Sequence, residues 1–414
     1  MVSSFLIIDS HALIHRAYHA LPPLTTKSGE LVNAVYGFTS ILIKTISDFK
    51  PDYIVAALDA PEPTFRHVEY KEYKATRAKA PDDLYAQIPR VKEILNAFKI
   101  PIFEKSGFEA DDIIGTVSRE MLGKSVEVLI LTGDLDNFQL IKENIKVLYS
   151  PPSAAKEQII YDGKKVEEKF GGLKPDQLTD FKGLRGDPSD NIPGVRGIGE
   201  VTAIALLTKY KTIEKVYEVV GKNKLDGFSA SVLEKLRLGK DAAFFSKSLA
   251  TIKQNVPIDF NLKKSEFGKF DKEIIFKLLR ELGFNSLIDR MSRTASKQGM
   301  LLAPPAEVKK ISYIKLSQAT DFSKFKKELS GKEEIYMSYK LSESGDVTTL
   351  VISDGNKNYY IDANFSTLKE VFENEKIKKT VHDFKLLIKA LRRLKIDLEG
   401  VDFDTMIAAY ILNP

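Results

Sequence analysis

Short apolar runs bounded by turns recur along the N-terminal part of the chain: FLII (5–8), YIVAAL (53–58), PIFE (101–104), VEVLIL (126–131) and IKVLY (145–149). Runs of this length, rich in Val and Ile and without strict polar alternation, predict strands buried on both faces. Between them, Ala34–Phe49 and Asp83–Phe98 repeat apolar residues at helical spacing. Strand alternating with helix predicts an α/β core, a mostly parallel sheet with helices on both faces, over residues 1–173. From Pro175 the pattern changes to amphipathic helices and Gly-rich turns, so 174–291 reads as a helical subdomain. The stretch 292–309 is polar, contains two prolines and reads as a linker. Beyond it IYMSYKL, TTLVISD and NYYID alternate as a β-meander, followed by two helical patterns. This predicts a partial α/β domain over 310–414.

The buried strands raise a chemical question, because three of them run straight into carboxylates: Asp9 after FLII, Asp59 after YIVAAL, and Asp134 with Asp136 after VEVLIL. In an open α/β sheet, residues just past the carboxyl ends of neighbouring strands converge on one crevice. GFEADDIIG adds Glu109, Asp111 and Asp112, and RGDPSDNIPG adds Asp187 and Asp190. One such residue reads as a helix cap or turn residue. Nine of them at strand ends and loops would repel one another unless cations sit among them. An all-oxygen donor set suits Mg²⁺ or Mn²⁺, and two such ions can drive a phosphodiester displacement.

Positive charge is concentrated in PTFRHVEYKEYKATRAKAP (63–81), where Arg66, Lys74 and Arg77 interleave with Tyr70 and Tyr73. At helical spacing Tyr70, Lys74 and Arg77 share a face, giving either a solvated surface helix or a clamp of cations on phosphates and tyrosines on bases. GVRGIGEVTAIALL, with Gly194, Gly197 and Gly199 ahead of an apolar helix, has the helix-hairpin-helix pattern that presents backbone N–H groups to a phosphate. His11, His15 and His19 repeat every four residues, but lack the glutamate of a zinc protease motif; they are expected to be core or DNA-facing.

Composition narrows the class without choosing it. The chain of 414 residues is 43% hydrophobic, which fits globular domains, and its net charge of +5 is too small by itself to mark a nucleic-acid binder. No apolar run reaches the roughly 18 residues of a membrane span. The N-terminus lacks a basic region and a small-residue cleavage site, and there is no cysteine, so a cytoplasmic protein without disulfides or thiolate metal sites is expected.

FLIIDSHALIHRAYHA, LDAPEPTFRHVEYKEYKATR, GFEADDIIGT, ILTGDLDNFQL and GLRGDPSDNIPGVRGIGEVTA, in this order, resemble the 5′-nuclease (flap endonuclease) domain of bacterial DNA polymerase I. VDFDTMIAAYILNP resembles part of the 3′–5′ exonuclease-like domain of the same family. The resemblance implies a PIN-like flap-endonuclease fold with a helical arch at about 63–90, a helix-hairpin-helix subdomain and a partial ribonuclease-H-like domain. It implies two Mg²⁺ (or Mn²⁺), the first held chiefly by Asp9, Asp59, Glu109 and Asp111 and the second by Asp134, Asp136 and Asp190. Asp112 and Asp187 would act nearby or through water, Lys74 and Arg77 on the scissile phosphate, and Arg16 near the 5′ end. Arg66 and Tyr73 would contact DNA from the arch. Gly194, Gly197 and Gly199 would hold duplex, with K⁺ at the hairpin.

The implied substrates are branched or nicked DNA with a 5′ end and RNA primers, cleaved in replication and repair by a cytoplasmic, nucleoid-associated monomer whose chain continues into a polymerase domain. The third domain departs from its family: Tyr339 and Leu341 stand where an active proofreading strand has Asp-x-Glu, and Leu387 stands at the second motif's aspartate. Asp404 matches a family position outside the catalytic set. Neither proofreading nor DNA synthesis is expected from this chain. Two other readings stay open: a PIN-like metal-dependent ribonuclease, and a non-catalytic module that binds branched DNA.

Overall fold

In the computed structural model, β1 (Ser3–Asp9), β2 (Tyr53–Ala57), β3 (Ile102–Phe103), β4 (Val126–Thr132), β5 (Ile145–Tyr149) and β6 (Ile159–Tyr161) form one sheet ordered β3-β2-β1-β4-β5-β6. Residues 2–77, 79–151, 157–298, 312–329, 331–342 and 344–412 are described. They belong to two units, Met1–Pro305 and Ala306–Pro414.

The first five strands are the five apolar runs, all parallel, and β6 adds an antiparallel edge that the sequence pattern did not announce. Period-two alternation explains why both faces are covered. Leu6 and Ile8 pack toward the helices Asn33–Phe49 and Ile88–Ala97, whereas Phe5 and Ile7 pack toward the helix Ala110–Glu120. Each of these strand residues is at most 1% exposed, and burying such a side chain contributes about 1.5–3 kcal/mol. The central strand β1 therefore cannot move without opening two cores. Register matters for the site: Ile8 pairs with Leu131 and Asp9 with Ala57, so Asp9, the residues after Ala57 and the residues after Thr132 leave the sheet at one level.

Residues 174–291, expected as one helical subdomain, divide between a core of their own and the two cores that flank the sheet. Helices dominate there, from Leu178–Arg185 to Lys272–Glu281, and Leu184, Val195, Ala203, Leu206 and Val216 build a core of their own. After Ala250, however, the chain returns to the sheet. Ile252 and Val256 join the core beneath Ala110–Glu120, Phe276 and Leu279 join the opposite core, and the Phe267 amide donates to Asp52 O at 2.8 Å. Amphipathic helices look alike whichever core receives them. The expected linker is also shortened: the helix Asn285–Gln298 runs into it, and 299–309 lies outside the described residues.

In the second unit, β7 (Ile314–Lys315), β8 (Glu334–Leu341), β9 (Val347–Ser353), β10 (Asn358–Ile361), β11 (Lys378–Val381) and β12 (Val401–Asp404) are ordered β12-β11-β8-β9-β10-β7. The antiparallel meander β8-β9-β10 matches the alternating runs. The parallel strands β11 and β12 are short and half polar, which hides them from a periodicity reading.

Candidate functional site

Asp9 ends β1 and is 2% exposed. Its carboxylate accepts from the Ala12 amide (3.1 Å), capping the helix Ser10–Ala20, and from Thr132 Oγ1 at 2.5 Å. Burial pushes its pKa up to about 7; the two hydrogen bonds oppose this, and Asp134 and Asp59 add repulsion. Asp59 accepts from the Ala110 amide at 2.6 Å, so it bridges β2 to the N-terminus of the helix that carries Asp111. Asp111 accepts from Asn137 Nδ2 at 2.7 Å; burial raises its pKa well above the usual range, followed by repulsion from Asp9, Asp134, Asp136 and Glu109. Asp134 accepts from the Asp136 amide at 2.9 Å, and its own amide donates to Thr132 Oγ1. This is the turn chemistry that lets a buried strand stop in two acids. Asp136, raised to about 6 by burial against the pull of Lys182, feels Asp134 and Asp190. The carboxylates from β1, β2, β4, the helix Ala110–Glu120 and the 187–190 loop thus form one mutually repelling group.

Cations supplied by the chain itself hold this group together. Lys74 Nζ lies 2.6 Å from Glu109, Arg77 pairs with Asp190, and Lys182 pairs with Asp136 and, at 2.6 Å, with Asp187. Asp187 also accepts from the Ser189 amide and hydroxyl; burial opposes ionisation, but Lys182 and Ser189 outweigh it and hold the pKa at about 2. Among the described residues no three acidic or imidazole side chains are gathered tightly enough to enclose an ion. The pairing explains this, because unscreened carboxylates at ion-binding separation repel unless a cation lies between them. The donor set fits hard divalent cations: it is all oxygen, cysteine is absent, and burial and repulsion disfavour its ionised form without added positive charge. Gly133, Asp134, Asp136, Lys182, Arg185 and Asp187 line a cleft of about 330 Å³.

Several expected roles change. The segment after the helix Phe65–Glu69 is a series of turns, with Lys74 at φ +57°, so Tyr70, Lys74 and Arg77 do not share a helix face. The Lys74 amide donates to Asp190 O, and Asn191 Nδ2 donates to Glu72 O, tying the expected arch to the acidic loop. Tyr73 is 4% exposed, its hydroxyl donating to Glu109 and Asp190, so its ring is unavailable to a base. Arg66 is also buried. It forms a two-pronged pair with Asp112 (both 2.8 Å) and donates to Leu249 O and Thr251 O. Asp112, with the Lys253 and Glu109 amides as further donors, is fully engaged in holding the fold. Arg66 was expected to contact DNA and Asp112 to act near the cations or through water; here the arginine is buried and the lone pairs of the carboxylate are occupied.

Arg16 donates to Ser150 Oγ and packs beside Gly133, next to Asp134. The His11 and His15 rings lie 4.6 Å apart at a tilt, His11 lying 3.5 Å from Asp59, and burial with neighbouring imidazoles drives His15 down to about 4. In the hairpin, Gly194 has φ +63° and its amide donates to Ser246 Oγ; a Cβ there would lie 2.2 Å from Gly186 N, so this glycine serves packing. Gly199, N-cap of the helix Glu200–Tyr210, opens to free space, and Gly197 lies against the Lys235 side chain. Lys182 and Thr132 were not singled out from sequence, since a lone lysine in DFKGLRGD and a strand-end threonine carry no spacing signal.

In the second unit Tyr339 donates to Asp383 O, Leu387 is fully buried, and Asp404 accepts amides of Asp383, Phe384 and Met406 as a helix cap. No carboxylate stands at the positions of Tyr339, Leu341 and Leu387.

Comparison with known proteins finds matches along most of the chain. Residues 4–171 match the family "5'-3' exonuclease, N-terminal resolvase-like domain", 173–273 match "5'-3' exonuclease, C-terminal SAM fold", and 335–414 match "DNA polymerase I, ribonuclease H-like domain". Residues 4–273 thus match, in order, the two domain models of a 5′-3′ exonuclease. More narrowly, the chain is similar along its length to the first part of DNA polymerase I. It is 37% identical to DNA polymerase I of Bacillus subtilis and 34% identical to that of Caldicellulosiruptor bescii, in each case over 99% of this chain and 46% of the relative. The chain spans about half the length of these relatives. A phage T5 flap endonuclease solved with DNA and metal ions aligns at a TM-score of 0.49 and 15% identity, covering 72% of this chain and 99% of that one.

Proposed function

We propose that this chain is a structure-specific 5′ nuclease, hydrolysing phosphodiester bonds at 5′ flaps and 5′ ends of DNA and RNA primers with a pair of divalent cations. The observation that carries the reading is the convergence of mutually repelling carboxylates at the carboxyl ends of β1, β2 and β4. Asp9, Asp59, Glu109 and Asp111 would hold the first cation, and Asp134, Asp136 and Asp190 the second, with Mg²⁺ or Mn²⁺ equally suited to oxygen donors. When bound, the pair supplies positive charge for the attacking and leaving oxygens.

The chain's own residues do the rest. Thr132 and Ala12 orient the Asp9 carboxylate, and Asn137 orients Asp111. Lys74 and Arg77, paired here with Glu109 and Asp190, would be free to face the scissile phosphate if other positive charge balanced those carboxylates, and fixed positive charge there would stabilise the transition state. Arg16 steadies the 5′ nucleotide. Gly197 and Gly199 offer backbone N–H groups to duplex phosphates, with K⁺ at the hairpin. The protein would act as a nucleoid-associated monomer, with a polymerase domain continuing the chain.

A 5′-flap duplex incubated with Mg²⁺ tests the reading, and cleavage near the junction is expected. Asp134→Ala should abolish that cleavage while flap binding persists. Cleavage confined to single-stranded RNA would make the protein a PIN-like ribonuclease, and binding without product would make it a non-catalytic module.

A further inference from the structure

Lys182 occupies an unusual place for an ammonium group. It projects from the last turn of the helix Leu178–Arg185, its side chain is 18% exposed, and it is paired at once with Asp136 and Asp187. Asp136 begins the short helix after β4, and Asp187 follows the helix that carries Lys182. One cation therefore joins the sheet side of the acidic group to the helical side. Asp136 is also the carboxylate that feels both Asp134 and Asp190, its partners in the proposed second cation site.

A divalent ion binding Asp136 would have to displace, or share the carboxylate with, an ammonium group already in contact with it. We propose that Lys182 is an internal counter-ion of the second cation site: it holds Asp136 and Asp187 together while no metal is bound, gives way when one enters, and thereby sets that site's affinity. The inference rests on the two-cation reading above. Lys182 is a positioning residue here, acting through the two aspartates rather than on substrate. Because ammonium and metal compete for Asp136, each weakens the other's hold by the same factor, a coupling on the order of tenfold.

The test is Mn²⁺ binding to the intact chain by calorimetry without DNA, with thermal melts in EDTA alongside. Wild type should bind two ions. Lys182→Met, which keeps the aliphatic stem, should bind the second about tenfold more tightly while its metal-free melting temperature falls; Lys182→Arg should behave as wild type on both measures. Lys182→Gln provides the same comparison if the methionine variant does not fold. A second-ion affinity that is unchanged or weaker without the charge, with wild type still binding two ions, overturns the role of Lys182 alone. A wild-type chain that binds no second ion overturns the cation reading itself, and with it this inference.

Discussion

Replacing Arg66 with methionine separates a buried structural cation from a DNA-binding one. Arg66 is 2% exposed and Asp112 is 0% exposed. Arg66 makes two 2.8 Å bonds to Asp112 and one each to Leu249 O and Thr251 O, so it joins the helix Ala110–Glu120 to the segment 249–251. Methionine fills much of the volume but leaves a buried carboxylate without its counter-ion, and breaking such a pair costs about 3–5 kcal/mol. A folded unit has only about 5–15 kcal/mol in total. At roughly 2 °C per kcal/mol for a unit of this size, the melting temperature should fall by about 6–10 °C. Thermal denaturation followed by circular dichroism reads this directly. Adding Asp112→Leu should restore part of the loss, since the second change removes the unpaired charge, and the double-mutant cycle measures the coupling. The reasoning is refuted if Arg66→Met melts within about 1 °C of wild type while duplex affinity drops and its salt dependence flattens, for that is how a phosphate contact behaves.

Three further outcomes are expected. Without metal, melting temperature should fall as pH rises from about 4 to 7: Asp9 (about 7) and Asp136 (about 6) have folded pKa values above their unfolded value of 3.8, and these two outweigh His15, whose lowered value (about 4) acts in the opposite sense, so the folded state binds more protons in that window and loses stability as they leave. Saturating Mg²⁺ should remove that decline, and a metal-free chain that grows more stable over the same range contradicts the clustering. Gly194→Ala should destabilise by more than about 2 kcal/mol, from a positive φ and a backbone clash, whereas Gly199→Ala, with nothing within 4 Å, should hold stability within about 0.5 kcal/mol and weaken duplex binding instead; urea unfolding and a binding titration read the pair. Lys74→Ala should slow single-turnover cleavage by more than it weakens flap binding, as befits a group acting in the transition state, and equal losses in both would make Lys74 a simple anchor.

Much of the site was legible because its signal is local. A buried strand that runs into an aspartate breaks the expectation for a solvent-exposed turn, and Asp9, Asp59, Asp134 and Asp136 all carry that signal. Glu109 and Asp111 were marked by their place ahead of an apolar helix. Arg66, Tyr73 and Asp112 were misread for the opposite reason. Polar residues at helical spacing look solvated, and only the return of the chain at 249–253 covers them.

Apolar periodicity and the order of strand and helix were enough to determine the parallel sheet, the meander and the level at which the acidic residues leave the core, since these depend on neighbours within a few positions. The tertiary structure alone decided which cation neutralises which carboxylate. It set Lys182 between Asp136 and Asp187, turned Lys74 onto Glu109 and buried Arg66 against Asp112. Ion pairing depends on distance in space and on how much water is excluded, and neither quantity is written in sequence separation.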